Sequence, residues 1–171
     1  NVNTVILPDN AEDTNGDDVL DDIIAACEDN GTKIVYITRD TEFTAGAIRL
    51  SVYESSERGS RDESGIMSTV SIGDYDMLVT GDVEKVVERE LVSSHDLSGT
   101  ELLIVPHHGS KYSTSDELLS ELRPETAVIS TGYNRYGHPT KETLDKLNEY
   151  GVNVLRTDEL GRIVLHVASG D

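Results

Sequence analysis

The sequence predicts an α/β protein in which a mixed sheet is flanked by helices. Two observations predict this class: units of strand, turn and helix recur along the chain, and one stretch alternates strands with tight turns. The composition is that of a folded domain, because 36% of the 171 residues are apolar. We therefore expect one domain, or a large piece of one, and not a disordered acidic chain.

The first part of the chain predicts a strand, a helix and a second strand, at residues 4–7, 17–30 and 33–38. Apolar residues recur on one face of the helix, Gly31 supplies its end, and Pro8 ends the first strand. Cys27 lies on the apolar face, so we place it in the core. As the only cysteine, it excludes an internal disulfide and a thiolate zinc cluster.

A run of strands without a helix follows. Residues 47–53, 66–72 and 76–80 have strand composition, and residues 73–75 form a turn between the last two. We therefore expect antiparallel pairing among these strands. Residues 54–63 contain no apolar side chain, which predicts a surface loop.

The second half is more regularly patterned. It predicts, in order, a helix at 83–92, a strand at 101–105, a short helix through 118–122, a strand at 126–131, a helix at 140–150 and a closing hairpin of 152–156 with 162–167. Thr114 and Glu117 have the spacing of a capping box for the short helix. Gly151 marks the end of the last helix.

Polar residues cluster at three places, each directly after a predicted strand: residues 80–82, 106–111 and 134–139. The ends of neighbouring parallel strands meet at one edge of a sheet, where ligands bind in open α/β folds. The side chains predicted to converge there are Asp82, His107, His108 and His138. One carboxylate with two or three imidazoles suits zinc, manganese or iron, so the sequence predicts a metal site.

Each cluster also has an ordinary structural explanation. Asp82 suits the cap of the following helix, and the pair His107 and His108 suits a solvent-exposed loop. His138 equally suits a cap before Pro139. Adjacent side chains of an extended chain point in opposite directions. This predicts that one of the paired histidines binds metal, while the other either supports the metal ligands or acts as an acid or base.

In combination, these motifs resemble a known family. The segments that carry the resemblance are Leu78-Val79-Thr80-Gly81-Asp82, Pro106-His107-His108-Gly109-Ser110-Lys111, Ala127-Val128-Ile129-Ser130, residues 134–139, and Arg156-Thr157-Asp158 with Gly161. They resemble the C-terminal metallo-beta-lactamase-like domain of ComEC-type competence proteins, the DNA-uptake channels of naturally transformable bacteria, over residues 64–167.

The resemblance implies the C-terminal part of a four-layer αββα sandwich with a site for two divalent metal ions, zinc or manganese. It implies hydrolysis of phosphodiesters, with single-stranded DNA as the substrate and the strand that is not imported as its source. It also implies a soluble domain of a bacterial inner-membrane protein, next to the membrane channel of the same protein. The extracytoplasmic side is the expected location.

The roles of individual residues follow from the positions that match the family. The resemblance assigns metal binding to Asp82, His107 and His138, catalysis to Lys111, His108 and Ser110, and substrate binding to Asn134 and Tyr136. Lys111 is expected to stabilise developing negative charge, and the histidine that does not bind metal is expected to protonate the leaving oxygen.

One motif of the family is missing from this sequence. Members of the family carry an HxHxDH-type metal motif in the first half of the domain, whereas the first histidine here is His95. We therefore expect residues 1–171 to be a C-terminal portion with an incomplete metal site and weak activity. Two alternatives stay open: a related hydrolase of envelope phosphoesters, and a docking module that performs no catalysis.

The charge of the chain limits its partners. With 33 acidic and 14 basic residues, the net charge is -19, which disfavours bulk binding of nucleic acid. Bound divalent ions would supply positive charge locally for a phosphodiester. Residues 13–17 faintly resemble a calcium loop, but Ile24 occupies its twelfth position in place of Glu, so we expect no calcium site. No apolar run approaches the roughly 20 residues that span a bilayer.

Overall fold

The computed structural model describes residues 2–8, 18–54 and 66–167 of the chain. These residues form a mixed α/β fold with a seven-stranded sheet, a two-stranded sheet and helices. In chain order the elements are β1 Thr4–Pro8, α1 Asp18–Asn30, β2 Lys33–Ile37, β3 Thr41–Ala45, β4 Ile48–Tyr53, β5 Met67–Ile72, β6 Tyr75–Val79, α2 Lys85–Ser94, β7 Leu102–Ile104, α3 Asp116–Leu122, β8 Thr126–Ile129, α4 Lys141–Glu149, β9 Asn153–Arg156 and α5 Thr157–Leu160.

The larger sheet has an antiparallel half and a parallel half, and its strand order follows the chain from β3 to β9. Strands β3 to β6 pair antiparallel, which confirms the predicted meander. Strands β6 to β9 pair parallel, with α2, α3 and α4 in the connections. The carboxyl ends of β6, β7, β8 and β9 therefore lie in order along one edge. β1 and β2 form a separate parallel pair joined through α1.

Strand β3 is an element that the sequence pattern did not indicate. Its five residues include only two apolar side chains, Phe43 and Ala45, and it lies at the edge of the sheet with three side chains exposed. Edge strands have one neighbour to pack against, so they carry a weak hydrophobic pattern. The tight turn at Gly46, with φ of 62°, returns the chain into β4 and sets the pairing.

The predicted closing hairpin is wrong. β9 pairs parallel with β8, the chain then enters α5, and residues 162–167 form no strand. Arg156 forms ion pairs with Asp158 at 2.6 Å and with Glu159 at 2.8 Å. These pairs favour a helical turn directly after the strand, where the sequence had suggested a β-turn.

The cap of α3 also differs from the prediction. Ser115, and not Thr114, accepts a hydrogen bond from the N–H of Leu118, at 3.2 Å. Thr114 has a φ of 58°, which is the left-handed region and not the extended conformation of a residue that caps a helix. The cap therefore lies one residue later than predicted, and the predicted capping box does not form, because Leu118 stands where the box requires Glu or Gln.

The hydrophobic core lies between the parallel half of the sheet and its helices. Buried side chains of β6, β7 and β8 pack with those of α2, α3 and α4, and they include Leu78, Leu103, Ile129, Val87, Leu118 and Leu147. Cys27 is buried in α1, as predicted. The packed core gives rigid support to the loops at the carboxyl edge of the parallel strands.

Two predicted features lie outside the described residues: the calcium-like segment 13–17, and the surface loop 54–63 apart from its first residue. In the ranges that the structure describes, no helix is both long enough and apolar enough to cross a membrane.

Candidate functional site

Three polar segments meet at the carboxyl edge of the parallel strands. Asp82 follows β6, His107 and His108 follow β7, and His138 lies in the loop after β8. The N–H of His107 donates to the carbonyl of Gly81 at 3.0 Å, which ties the first segment to the second. The convergence expected from parallel neighbouring strands is therefore present in the fold.

The two adjacent histidines lie in a tight 3₁₀ turn at Pro106–Gly109. Their φ angles are 50° for His107 and 55° for His108, both in the left-handed region. The expectation of an extended chain here is wrong, because both histidines have left-handed backbone and the N–H of Ser110 closes the turn on the carbonyl of His107 at 3.0 Å. The rings nevertheless face different partners: His107 faces His138, and His108 faces Asp82.

His108 and Asp82 form the first pair of the site. His108 Nδ1 lies 2.6 Å from the carbonyl oxygen of Ser130, and a carbonyl only accepts, so Nδ1 carries the proton. This leaves Nε2 of the neutral ring with its lone pair, 3.6 Å from Oδ1 of Asp82. Two acceptor atoms that face one another suit a shared cation or a shared proton.

His107 and His138 form the second pair. Their ring centroids are 5.6 Å apart, and the ring planes are nearly perpendicular, at 83°. Nδ1 of His107 is buried and has no hydrogen-bond partner among the described residues. A buried nitrogen without a partner is costly in an isolated protein, and an ion or water at that position would relieve the cost.

The surroundings of His138 favour its neutral form. Burial lowers the pKa of the His138 imidazole below its ordinary value, and the neighbouring His107 and His108 lower it further, while Asp82 opposes them. Neutral imidazole is the form that binds a metal ion. His138 therefore suits the ligand role that the sequence predicted.

The donor chemistry of these residues fits zinc or manganese, because imidazole nitrogen and carboxylate oxygen are their usual ligands. The unpaired Nδ1 of His107 is consistent with a missing partner at this position. Within residues 2–8, 18–54 and 66–167, however, no three His, Cys, Asp or Glu side chains lie close enough together to hold an ion. The described residues thus present two donor pairs at this sheet edge, Asp82 with His108 and His107 with His138.

The histidine turn packs directly against the loop of His138. A Cβ atom placed on Gly109 would lie 2.6 Å from Cβ of Pro139, closer than side chains pack, and Gly109 has a φ of 83°. The N–H of Thr140 donates to the carbonyl of Gly109 at 2.9 Å. Glycine is therefore required at this position of the turn.

Glu88 supports the same loop and was not anticipated. It belongs to α2, its side chain is fully buried, and its two carboxylate oxygens accept from the N–H groups of Thr114 and Ser115, each at 2.6 Å. The only signal in the sequence is a carboxylate beside the apolar stripe of α2, which is more often exposed. From α4, Thr143 donates to the carbonyl of Ser110 at 3.0 Å.

The structure places the predicted catalytic residues Lys111 and Ser110 next to the histidine turn. Lys111 is exposed, and its Nζ lies 5.0 Å from the centre of the Tyr112 ring. Ser110 is buried, and its hydroxyl accepts from the N–H of Tyr112 at 3.2 Å. This contact favours a role for Ser110 in holding the turn, while Lys111 is free to approach a ligand.

The predicted substrate-binding residues Asn134 and Tyr136 lie in the loop after β8. The amide of Asn134 is used inside the loop: Nδ2 donates to the carbonyl of His138 at 2.7 Å, and Oδ1 accepts from the N–H groups of Tyr136 and His138. Asn134 therefore shapes the loop. Tyr136 is exposed, with its ring centre 5.9 Å from that of His138.

Sequence comparison finds bacterial competence proteins. The chain is 33% identical over 144 residues to ComE operon protein 3 of Bacillus subtilis (strain 168), which covers 82% of the chain. It is 34% identical over 119 residues to competence protein ComA of Neisseria gonorrhoeae, which covers 67% of the chain, and 37% identical over 95 residues to recombination protein 2 of Haemophilus influenzae. The chain spans 19%, 17% and 12% of the lengths of these three proteins. No family profile matches it.

Comparison with solved structures finds Igni18, described as a novel metallo hydrolase from the hyperthermophilic archaeon Ignicoccus hospitalis KIN4/I. The TM-score is 0.54 at 12% sequence identity, and the match covers 89% of this chain and 64% of that one. At this identity the likeness concerns the fold alone, so the chain has a fold similar to that of a metallo hydrolase.

Proposed function

Because the chain is homologous over most of its length to part of the ComEC-type competence proteins, we propose that it is a segment of a metal-dependent hydrolase domain that cleaves phosphodiester bonds of DNA. The substrate in this proposal is single-stranded DNA, namely the strand that is not imported. The domain acts beside the membrane channel of the same protein, on the extracytoplasmic side.

The observation that best supports the proposal is the convergence of metal-binding side chains at one sheet edge. Asp82 and His108 face each other at 3.6 Å, and His107 faces His138 with an unpaired buried nitrogen. Carboxylate and imidazole at the carboxyl edge of a parallel sheet are the groups and the place at which hydrolytic metal sites form.

In the proposed mechanism, Asp82, His107 and His138 would hold the ion together with ligands from a further segment of a longer protein. A divalent ion bound there would supply an activated water and would offset the charge of the phosphate. His108 keeps its Nδ1 proton on the Ser130 carbonyl, so Nε2 is the atom that can take up a proton and return it to the leaving oxygen. Lys111 approaches from the adjacent loop and stabilises the negative charge that develops on phosphate oxygens.

We further propose that residues 1–171 form the C-terminal portion of the domain and that an HxHxDH-type segment of a longer protein completes the metal site. The Bacillus subtilis relative is about five times as long as the matched segment, since that segment covers 19% of it. Calorimetric titration with manganese and zinc is expected to show fewer than two tightly bound ions per chain. Tight binding of two ions would contradict this part of the proposal.

Hydrolysis of a labelled single-stranded oligonucleotide tests the proposed activity. We expect cleavage with manganese and none with EDTA, and we expect Lys111→Ala to lower the rate about 100-fold, as loss of a charge-stabilising group typically does. Lys33→Ala is the matched control, because Lys33 is an exposed lysine of β2 in the smaller sheet. The proposed activity fails if cleavage persists in EDTA, or if the two lysine variants have the same rate.

A further inference from the structure

Aromatic side chains are concentrated around the candidate site. The chain has seven tyrosines, one phenylalanine and no tryptophan. The three most exposed tyrosines are Tyr112, Tyr133 and Tyr136, at 57%, 101% and 84% of their full accessible area. All three lie on the two loops that border the histidines, whereas folding normally covers at least one face of such rings. Exposed rings at one place indicate a binding surface.

The loop that presents Tyr136 is held in shape. Asn134 bridges it internally, with Oδ1 accepting from the N–H of Tyr136 at 3.1 Å and from the N–H of His138 at 3.0 Å. The ring centre of Tyr136 lies 5.9 Å from that of His138, with an angle of 31° between the ring planes. A loop whose backbone is already held loses little conformational entropy when a ligand stacks on a ring that it carries.

Two cavities adjoin this pair of rings. One of about 370 Å³ lies on the side of His108, and another of about 410 Å³ lies on the side of His107. Tyr136 and His138 line both cavities, so the two histidines of the turn are divided between them. A phosphodiester carries one group on each side of its phosphorus, and a site with two compartments beside one cluster of donors matches that shape.

The local charge also suits a polyanion. Neither Lys111 nor Arg135 forms an ion pair with any described residue, whereas five other basic side chains do, namely Arg49, Arg89, Lys141, Lys146 and Arg156. Lys111 lines the cavity on the His107 side, and Arg135 is exposed in the loop between Tyr133 and Tyr136. In a chain of net charge -19, two unpaired cations beside exposed rings favour a strand of nucleic acid at this surface.

We propose that Tyr136 is a stacking platform for an unpaired base, and that the two cavities hold the nucleosides on either side of the phosphodiester at the histidines. This inference rests on the proposed function and adds its recognition element. Stacking on an exposed ring requires a free base face, which a duplex hides, so Tyr136 selects single strands over duplexes. Tyr133 and Tyr112 extend the platform along the strand.

The test is binding of a short phosphorothioate single strand, which resists hydrolysis, in the presence of manganese. Tyr136→Leu removes the ring but keeps the charge and most of the bulk, and it is expected to weaken binding roughly 5- to 100-fold, as loss of one stacked base does. Tyr136→Phe is the matched control and is expected to bind within about 2-fold of the parent chain. A 2-aminopurine base in the strand is expected to lose fluorescence with the parent and the Phe variant only. Equal binding by the Leu variant would overturn the proposal.

An abasic strand with the same number of phosphates separates this inference from the proposed function. We expect it to bind weakly and to be insensitive to Tyr136→Leu. If the abasic strand is bound and cleaved as well as the normal strand, base stacking is refuted while the phosphodiesterase stands. If base-dependent binding is found but no strand is cleaved with manganese, the stacking platform stands and the proposed activity fails.

Discussion

Replacement of Asp82 by alanine is expected to weaken manganese binding by at least about 100-fold, in line with the loss of a direct ligand. Asp82 is the one carboxylate of the four convergent side chains, and its Oδ1 lies 3.6 Å from Nε2 of His108. Without it the ion would meet imidazoles alone, and the positive charge would have no anionic partner at the site. Hydrolysis of single-stranded DNA is expected to fall with the affinity.

The matched control for this variant is Asp74→Ala. Asp74 is exposed in the turn between β5 and β6, at the opposite end of β6 from Asp82, and its replacement changes the net charge by the same amount. Calorimetric titration with manganese measures the affinity of both variants. Equal losses of affinity would mean that manganese binds diffusely to the acidic surface and not at the sheet edge.

Replacement of Glu88 by alanine is expected to lower the free energy of unfolding by about 2–4 kcal/mol, because two buried N–H groups lose charged acceptors. These are the N–H groups of Thr114 and Ser115, at the start of α3 and beneath the histidine turn. Urea denaturation measures the change. Glu149→Ala, at an exposed position in the last turn of α4, is the control and is expected to change stability by less than about 0.5 kcal/mol.

The effect of Glu88 is also expected to depend on pH. Burial raises the pKa of its carboxyl above the ordinary value, although the hydrogen bonds from Ser115 and Thr114 act against it. A group whose pKa is higher in the folded state binds its proton more tightly there, so stability is lost as the pH rises from about 4.5 through the folded pKa. In Glu88→Gln this loss disappears, and the cost of the substitution shrinks as the pH rises. A cost that grows with pH would contradict the direction of this pKa shift.

The position of the site could be predicted because strand order follows chain order in the parallel half of the sheet. Each of β6, β7 and β8 ends in a polar loop, and their parallel pairing brings the loops together. The residue types at these ends, Asp82 and the histidines, then indicate the chemistry. Local signals sufficed because each connection contains a helix and returns the chain to the neighbouring parallel strand.

The geometry within the site could not be predicted from the sequence. Left-handed backbone at His107 and His108 is unfavourable for residues with a side chain, and it arises from tertiary contacts of the turn. One such contact is the close approach of Gly109 to Pro139, which are thirty residues apart in the chain. Secondary-structure propensity depends only on residues that are close in the sequence, so it does not predict contacts of this kind.

The buried carboxylate of Glu88 escaped prediction for a related reason. A glutamate in a helix is normally solvated, and only the position of the loop 110–115 shows that it has two N–H partners. The closing hairpin was mispredicted because residues 162–167 have the apolar and β-branched composition of a strand but no strand partner in the fold. Both the burial of Glu88 and the absence of a strand at 162–167 depend on which distant segments pack nearby, and the local sequence does not carry that information.

The most direct test of the metal-binding role of this sheet edge is the NMR spectrum of the chain during titration with manganese, whose unpaired electrons broaden the signals of nearby nuclei. At less than one equivalent, we expect the ring signals of His107, His108 and His138 to broaden first, and we expect this selectivity to vanish in Asp82→Ala. Zinc is the diamagnetic comparison and is expected to shift the same signals without broadening them. Broadening that begins in the acidic helix α1, or that spreads evenly over exposed carboxylates, would contradict a metal site at the histidines.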